Sequence, residues 1–432
     1  MNPVTSSRRT ARIVTRTVAL ILLLWICSTC QDPVDPGNRP PRIISPAIVE
    51  AQAEELFTYV AEADDLDGDP INFSFRRLPA WLIVTGATVR GTPASAADSA
   101  RFTVSASDFH GGTDTLEVTV DVLPGPTDML RELVGNMVAA VNLDTLQQFV
   151  RELSGEVPVA LQDTVVTLVS RHKDYPGNAL AADYLEQRLS GYGLPVTRQA
   201  FSETGENVYA IQEGAQGSAA AEGAFIICAH YDSYPDSSIA PGADDDASGV
   251  ALVLEAARLL SEVSTNWAVI YALWDEEEQG LLGSRYYAAA ANQLGQPIRG
   301  VINIDMVGWD SNDDRVLLVN TDETADSYDL SDTFLLVNNY YDIGVDVQLV
   351  DPGSGSDNVP FWWYGFSAIG VEEYYGEDWN TYYHTVDDRL YQFNLEYFHR
   401  ASKAVIGTLA TLAWTENDIL ARRSGYSLIS EQ

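Results

Sequence analysis

Three adjacent carboxylates occupy the run Gly242-Ala243-Asp244-Asp245-Asp246-Ala247-Ser248-Gly249, a short way past His230-Tyr231-Asp232. Carboxylates crowded into a partly buried site cannot all stay ionised unless a strong cation lies among them, so the cluster beside a histidine points to a divalent metal. The theme recurs downstream. Glu276-Glu277-Glu278 follows an apolar run, Asp305 ends Val301-Ile302-Asn303-Ile304, and His384 opens His384-Thr385-Val386-Asp387-Asp388. Two imidazoles, several carboxylates and no cysteine suit zinc or a similar borderline metal in a catalytic site, since structural zinc is usually closed by thiolates. The chemistry predicted is metal-assisted hydrolysis. Neighbouring carboxylates are equally good ligands on paper, so the residues alone leave the register within each acidic triplet open.

The elements around these residues explain how separate segments could meet. Phe225-Ile226-Ile227-Cys228-Ala229 reads as a strand and leads to a helix over 247–260. Ala268-Val269-Ile270-Tyr271-Ala272-Leu273-Trp274 reads as another, before a helix over 281–291. Strands over 301–304, 316–319 and 368–371, with helices over 329–339 and 395–412, continue the alternation. Such alternation predicts an α/β domain with a mostly parallel sheet covered by helices on both faces. Helical periodicity already begins near Asp128, with Leu146, Phe149, Val150 and Leu153 sharing a face. His230, the Glu276–Glu278 cluster and Asp305 each directly follow an apolar strand, and open α/β sheets bind ligands at the carboxyl ends of their strands.

Upstream, the chain has a different rhythm. Arg8, Arg9, Arg12 and Arg16 precede an apolar run from Val18 to Ile26, too short for a comfortable membrane span but suited to the core of an export signal over 1–30. Cys27-Ser28-Thr29-Cys30 resembles a lipobox, with Cys27 where leucine is usual, and predicts lipidation at Cys30 in preference to simple secretion. The expected location is the cell envelope, as a lipid-anchored protein or a secreted or periplasmic one. With Cys30 acylated, Cys228 has no partner and reads as a small buried core residue. A Pro-rich linker over 31–41 comes next. Short alternating runs over 42–124, split by turns such as Asp65-Leu66-Asp67-Gly68-Asp69-Pro70 and Gly91-Thr92-Pro93, predict an all-β sandwich. Its carboxylates could bind calcium, although ordinary tight turns use the same residues. The remainder, 125–432, is the predicted catalytic domain.

Charge narrows the partners. With 25 Lys and Arg against 62 Asp and Glu, the formal charge of -37 excludes nucleic acid and anionic membrane as electrostatic partners, which leaves the lipid anchor as the membrane contact. Lysine is represented only by Lys173 and Lys403. An acidic, lysine-poor surface stays hydrated in salt, so a saline habitat and an ordinary acidic secreted protein fit equally.

From about Leu143 to Trp414 the chain resembles the co-catalytic di-zinc aminopeptidases of metallopeptidase family 28. The likeness rests on His230-Tyr231-Asp232, the Gly242–Gly249 run, Glu277-Glu278-Gln279-Gly280-Leu281-Leu282-Gly283-Ser284, Asn303-Ile304-Asp305-Met306 and His384-Thr385, in the family's order. The β-domain resembles cadherin-like or immunoglobulin-like modules through Asp65–Pro70, Leu78-Pro79-Ala80-Trp81-Leu82 and Gly91-Thr92-Pro93. The first resemblance implies a zinc-exopeptidase-like fold and two zinc ions. It makes Asp245 the bridge, His230 and Asp305 the ligands of one site, and Glu278 and His384 those of the other. It implies Glu277 as general base and Asp232 as the partner that holds His230 in its ligand tautomer. Substrates would be peptides with a free N-terminus.

Two departures stand out. Asn358, in Ser356-Asp357-Asn358-Val359-Pro360-Phe361, replaces a histidine usual in the family, and Asp275 and Glu276 stand where small residues are common, adding negative charge expected to disfavour acidic substrates. His110, His172 and His399 lack clustered partners and read as surface or core residues. Phe361-Trp362-Trp363-Tyr364 and Tyr374-Tyr375 could line a pocket, although aromatics in an α/β fold are more often core. The alternatives to an exported aminopeptidase are a glutaminyl cyclase or carboxypeptidase-like zinc enzyme on this scaffold, and a surface binding protein with a vestigial catalytic domain.

Overall fold

In the computed structural model, residues 37–162, 164–323, 327–351 and 355–415 are described. The export signal and Cys30 lie outside them. The chain divides into two compact units, Met1–Gly125 and Pro126–Gln432.

The first unit is a small β-sandwich. One sheet orders Ile48–Gln52, Thr113–Leu123, Ala100–Ser107 and Asn72–Arg76; another orders Phe57–Val60, Thr88–Gly91 and Ile83–Thr85. The strand period of two sorts side chains: Val118, Val120 and Val122 are buried, Thr119 is half-buried, and Glu117 and Asp121 are exposed. Tyr59 packs edge-on against Phe102, with ring centroids 5.5 Å apart, at the centre of this core.

The second unit is built on an eight-stranded sheet. In spatial order its strands are Val196–Ala200, Glu206–Gln212, Ala268–Trp274, Ala224–His230, Ile298–Asp305, Ala368–Glu373, Val316–Asn320 and Asp346–Val350. The four central strands run parallel; the sheet turns antiparallel between Ala268–Trp274 and Glu206–Gln212 and between Ala368–Glu373 and Val316–Asn320. The centre is covered on both faces, which is why its strands read as unbroken apolar runs. Phe225, Ile227 and Ala229 join one core with the helices Ala247–Leu260 and Leu395–Trp414, whereas Ala224, Ile226 and Cys228 join another with Tyr287, Ala288 and Phe361. Truncating Ile227, fully buried, to alanine is worth about 2–5 kcal/mol on the usual scale of cavity formation. Parallel packing brings the C-terminal ends of the central strands, and with them His230 and Asp305, to one edge. Among the described residues, no helix is long and apolar enough to cross a membrane.

Candidate metal centre

Each acidic triplet is divided among different tasks by its local fold. Asp246 is the N-cap of the Ala247–Leu260 helix, its Oδ1 accepting the amide of Gly249 at 2.8 Å. Glycine is required there, because a Cβ on Gly249 would sit 2.5 Å from that oxygen. Asp244 faces the opposite way, accepting the Gly308 amide at 2.8 Å and the Asn380 side-chain amide at 2.7 Å. Burial pushes Asp244 up to about 6, and burial together with Asp244 raises Glu373. Asp245 alone turns toward the histidines. The Asp244 and Asp245 amides are both held by the buried carboxylate of Asp388, at 3.0 and 3.2 Å.

The second triplet divides likewise. Strand Ala268–Trp274 ends just before Asp275, whose carboxylate accepts the Asn178 amide at 2.8 Å and the Glu206 backbone amide at 3.0 Å. Glu276, at φ 58°, swings its carboxylate to the Thr204 hydroxyl at 2.6 Å. Their charge is therefore committed to neighbouring loops, and neither lines the cavity beside the metal centre, contrary to the expectation that they would charge the substrate site. Glu277 and Glu278 face the centre instead. Burial pushes Glu277 well above the ordinary carboxylate range and Glu278 up to about 8.

Two three-residue groups then share one carboxylate. His230, Asp245 and Asp305 offer ligand atoms within 4.8 Å of one another, as do Asp245, Glu278 and His384. His230 Nε2 lies 3.2 Å from Asp245 Oδ1 and 3.6 Å from Asp305 Oδ1; His384 Nε2 lies 3.1 Å from Asp245 Oδ2 and 2.9 Å from Glu278 Oε2. The last two distances are short enough for hydrogen bonds, yet His384 Nε2 and Asp245 Oδ2 make none, and Glu278 Oε1 is buried without a partner. Donor atoms that crowd together without pairing are the arrangement a cation between them would satisfy, and the imidazole and carboxylate set suits zinc. His230 Nδ1 lies 3.2 Å from Asp232 Oδ1, leaving Nε2 directed at the carboxylates. His384 is flanked by the rings of Tyr383 and Tyr234, at centroid distances of 3.7 and 4.6 Å.

The structure adds residues the sequence reading did not single out. Arg171 is fully buried and donates to four main-chain carbonyls: Tyr231 at 2.7 Å, Leu153 at 2.7 Å, Pro241 at 2.6 Å and Gly242 at 2.9 Å. It thus ties together the segments that carry His230 and Asp245. Burial lowers its pKa to about 10, while Asp388, Asp232, Asp245 and Asp246 keep it charged. A lone arginine whose partners are backbone groups leaves no local pattern in a sequence.

Beside the centre lies a cavity of about 220 Å³, lined in part by Asp245, Glu277 and Asp305. Its remaining wall includes Met306, Glu372, Glu373, Tyr375, Trp379 and Tyr383. Burial pushes Glu372 up to about 8. Of the aromatics considered earlier, Phe361 is fully buried core and Tyr375 faces the cavity. Asn358 is fully buried, and neither its oxygen nor its nitrogen has a hydrogen-bond partner.

The other candidates lie elsewhere. His399 Nε2 contacts the Val141 carbonyl at 2.9 Å, and His110 Nδ1 lies 3.3 Å from Asp69. His172 does have acidic neighbours, Asp236 at 3.8 Å and Asp174 at 3.9 Å, but the Asp174 amide donates to the same nitrogen at 3.3 Å. In the β-domain, Asp65, Asp67 and Asp69 offer oxygens within 4.8 Å of one another. Asp65 Oδ1 accepts the Asp67 and Asp69 amides, and Arg39 pairs with Asp67, so turn chemistry and an arginine take up part of that charge.

Comparison with known proteins bears on the family and the fold. Residues 207–409 match the model of Peptidase family M28, and residues 40–123 match the He_PIG model of an Ig domain. The aminopeptidase YwaD of Bacillus subtilis is 32% identical over 184 residues, covering 41% of this chain and 39% of its own length. The chain thus matches well under two thirds of that relative. The crystal structure of Legionella pneumophila LapA aminopeptidase superposes with a TM-score of 0.56 at 24% identity, covering 66% of this chain and 75% of that one. A Bacteroides thetaiotaomicron glutaminyl cyclase superposes with a TM-score of 0.51 at 17% identity, covering 62% and 98%. At these identities the two structures share the fold.

Proposed function

The chain carries a peptidase family M28 domain over residues 207–409, and from that premise we propose that it is a zinc metallo-aminopeptidase that removes the first residue of peptides. The observation that carries this reading is the pair of histidine and carboxylate groups joined at Asp245, with Glu277 on the wall of the adjoining cavity. Asp245 would be shared by two zinc ions, with His230 and Asp305 completing one set and Glu278 and His384 the other. When bound, zinc ions lower the pKa of water and polarise a carbonyl, so no protein nucleophile is required.

The chain's own residues do the rest. Glu277 would accept a proton from the attacking water and return it to the departing amine. Asp232 would hold the proton of His230 Nδ1, keeping Nε2 free as a ligand. Asp388 and Arg171 would fix the loop that presents Asp245.

The test is zinc-dependent release of the first residue from an unblocked peptide but not from its N-acetylated form. A peptide beginning with glutamine that loses ammonia without hydrolysis would redirect the reading to cyclisation. Export with acylation of Cys30 belongs to the same proposal and rests on the pattern of residues 8–30. Its test is whether Cys30→Ser moves the protein from the membrane fraction to the soluble one.

A further inference from the structure

The cavity beside the metal centre contains two carboxylates that the proposed chemistry does not use, Glu372 and Glu373. Asp245 and Asp305 face the histidines, and Glu277 is assigned to proton transfer. Glu373 accepts the Trp309 amide at 2.6 Å through its Oε2. Among the described residues no such amide reaches Glu372. It is 8% exposed, it lines the cavity, and its Oε1, like that of Glu373, is buried with no hydrogen-bond partner.

The surroundings leave that oxygen unpaired. Gly355 stands next to it at φ +133°, and a Cβ there would sit 2.6 Å from Glu372 Oε1, so a residue with a side chain would crowd the carboxylate as well as strain the backbone. Among the described residues lining the cavity there is no lysine, arginine or histidine to pair with it. The same cavity is lined by Tyr375, Trp379 and Tyr383, whose rings suit an aliphatic stem and the face of a cation. Burial disfavours the charged form of Glu372, and a cationic guest is the group that relieves that cost most directly.

We propose that Glu372 is the specificity-determining residue of a side-chain pocket beside the metal centre, selecting peptides whose first residue is lysine or arginine. The proposal rests on the aminopeptidase reading and names its substrate class. A guest α-carbon near the metals would place its side chain against Met306 and the aromatic wall, with its charged end on Glu372. This negative charge replaces the one the sequence reading had placed on Asp275 and Glu276.

The experiment compares zinc-loaded full-length protein and its Glu372→Gln variant on the 4-nitroanilides of arginine, lysine, leucine and methionine. The parent is expected to favour arginine and lysine over leucine by at least about tenfold in kcat/KM, and the variant to reduce the arginine-to-leucine ratio by about 10- to 100-fold, mainly through KM, at equal zinc content. Glu372→Lys should turn the preference toward aspartate and glutamate anilides. A parent that prefers leucine, or a ratio unmoved by Glu372→Gln, overturns the proposal. Loss of zinc in Glu372→Gln with the ratio unmoved would instead assign Glu372 to supporting Asp305, its register partner on the adjacent strand. If no anilide is hydrolysed, the aminopeptidase reading fails on its own, and calorimetry with free arginine and leucine decides the pocket. Tighter arginine binding lost in Glu372→Gln upholds the assignment, and equal binding of the two amino acids overturns it.

Discussion

The Asp232 carboxylate stands 3.2 Å from the ring of His230, and its two oxygens also accept the backbone amides of Glu277 and Glu278 at 3.1 and 3.2 Å. One buried side chain therefore aligns residues from the ends of two neighbouring strands. Its position two residues beyond the end of Ala224–His230 lets it span from that strand to the turn after Ala268–Trp274. Asp232→Asn keeps the shape but weakens the charge that holds the imidazole, so zinc affinity should fall by roughly 10- to 100-fold. Competition with a chromogenic chelator would measure this, and an unchanged affinity would remove Asp232 from the proposed centre.

Glu277 and Glu278 are adjacent in sequence but are assigned different work. Glu277→Gln should lower turnover by at least about 100-fold while zinc content stays near that of the parent, because an amide cannot take a proton from water. Glu278→Gln should lose metal. Metal analysis beside single-substrate kinetics separates the two, and the reverse pattern would show that base and ligand had been exchanged.

Asp245 lies within reach of both histidines, so its removal should affect both metals. The expected zinc content is two per chain in the parent and distinctly fewer in Asp245→Asn, with activity lost; His230→Ala and His384→Ala should each lower mainly one site. Both metals retained in Asp245→Asn but lost in Asp244→Asn would move the bridge to a neighbouring carboxylate.

Zinc binding should release protons in a way that the buried ligands set. Without metal, burial holds Glu278 up to about 8, and contacts with Asp245 and Glu278 outweigh burial to bring His384 up to about 9. Below those values each must lose its proton before it can bind metal, so apparent affinity should rise from pH 6 to pH 9 and then level. Calorimetry at pH 7 in buffers of different ionisation enthalpy counts the protons released. No release at that pH would mean these two groups are not ligands.

Much of this centre was visible in the chain because the central strands are buried on both faces and read as continuous apolar runs, which marks their ends. His230, the Glu276–Glu278 turn and Asp305 follow those runs, and the structure brings them to one edge. The division of labour within the acidic triplets was not visible, since it depends on which oxygen meets the Gly249, Gly308 and Thr204 donors. The outer strands Val196–Ala200, Glu206–Gln212 and Asp346–Val350 were also missed. Thr197, Arg198 and Gln199 show why: an edge strand with one wet face has neither a long apolar run nor clear alternation. Glu372 and Glu373 likewise read as the end of a strand, and it is the Trp309 amide on Glu373 that tells them apart.

Arg171 offers the sharpest test of how the acidic centre is held. Its guanidinium fork satisfies four carbonyls in three segments, those around Leu153, Tyr231 and Pro241–Gly242, and its charge faces four carboxylates without a direct ion pair. Arg171→Met would strand those carbonyls and remove the nearest buried cation, at a cost of about 3 kcal/mol or more in folding stability. Arg171→Lys retains the charge but has no planar fork, so it should recover only part of the loss. Both variants should also bind zinc less tightly than the parent, because the segments carrying His230 and Asp245 lose their common anchor. Thermal melts with zinc titrations on the three proteins measure the order expected, parent above lysine above methionine. If Arg171→Met melts and binds zinc like the parent, the fork is incidental and the loops are held by Asp388 and Asp232 alone.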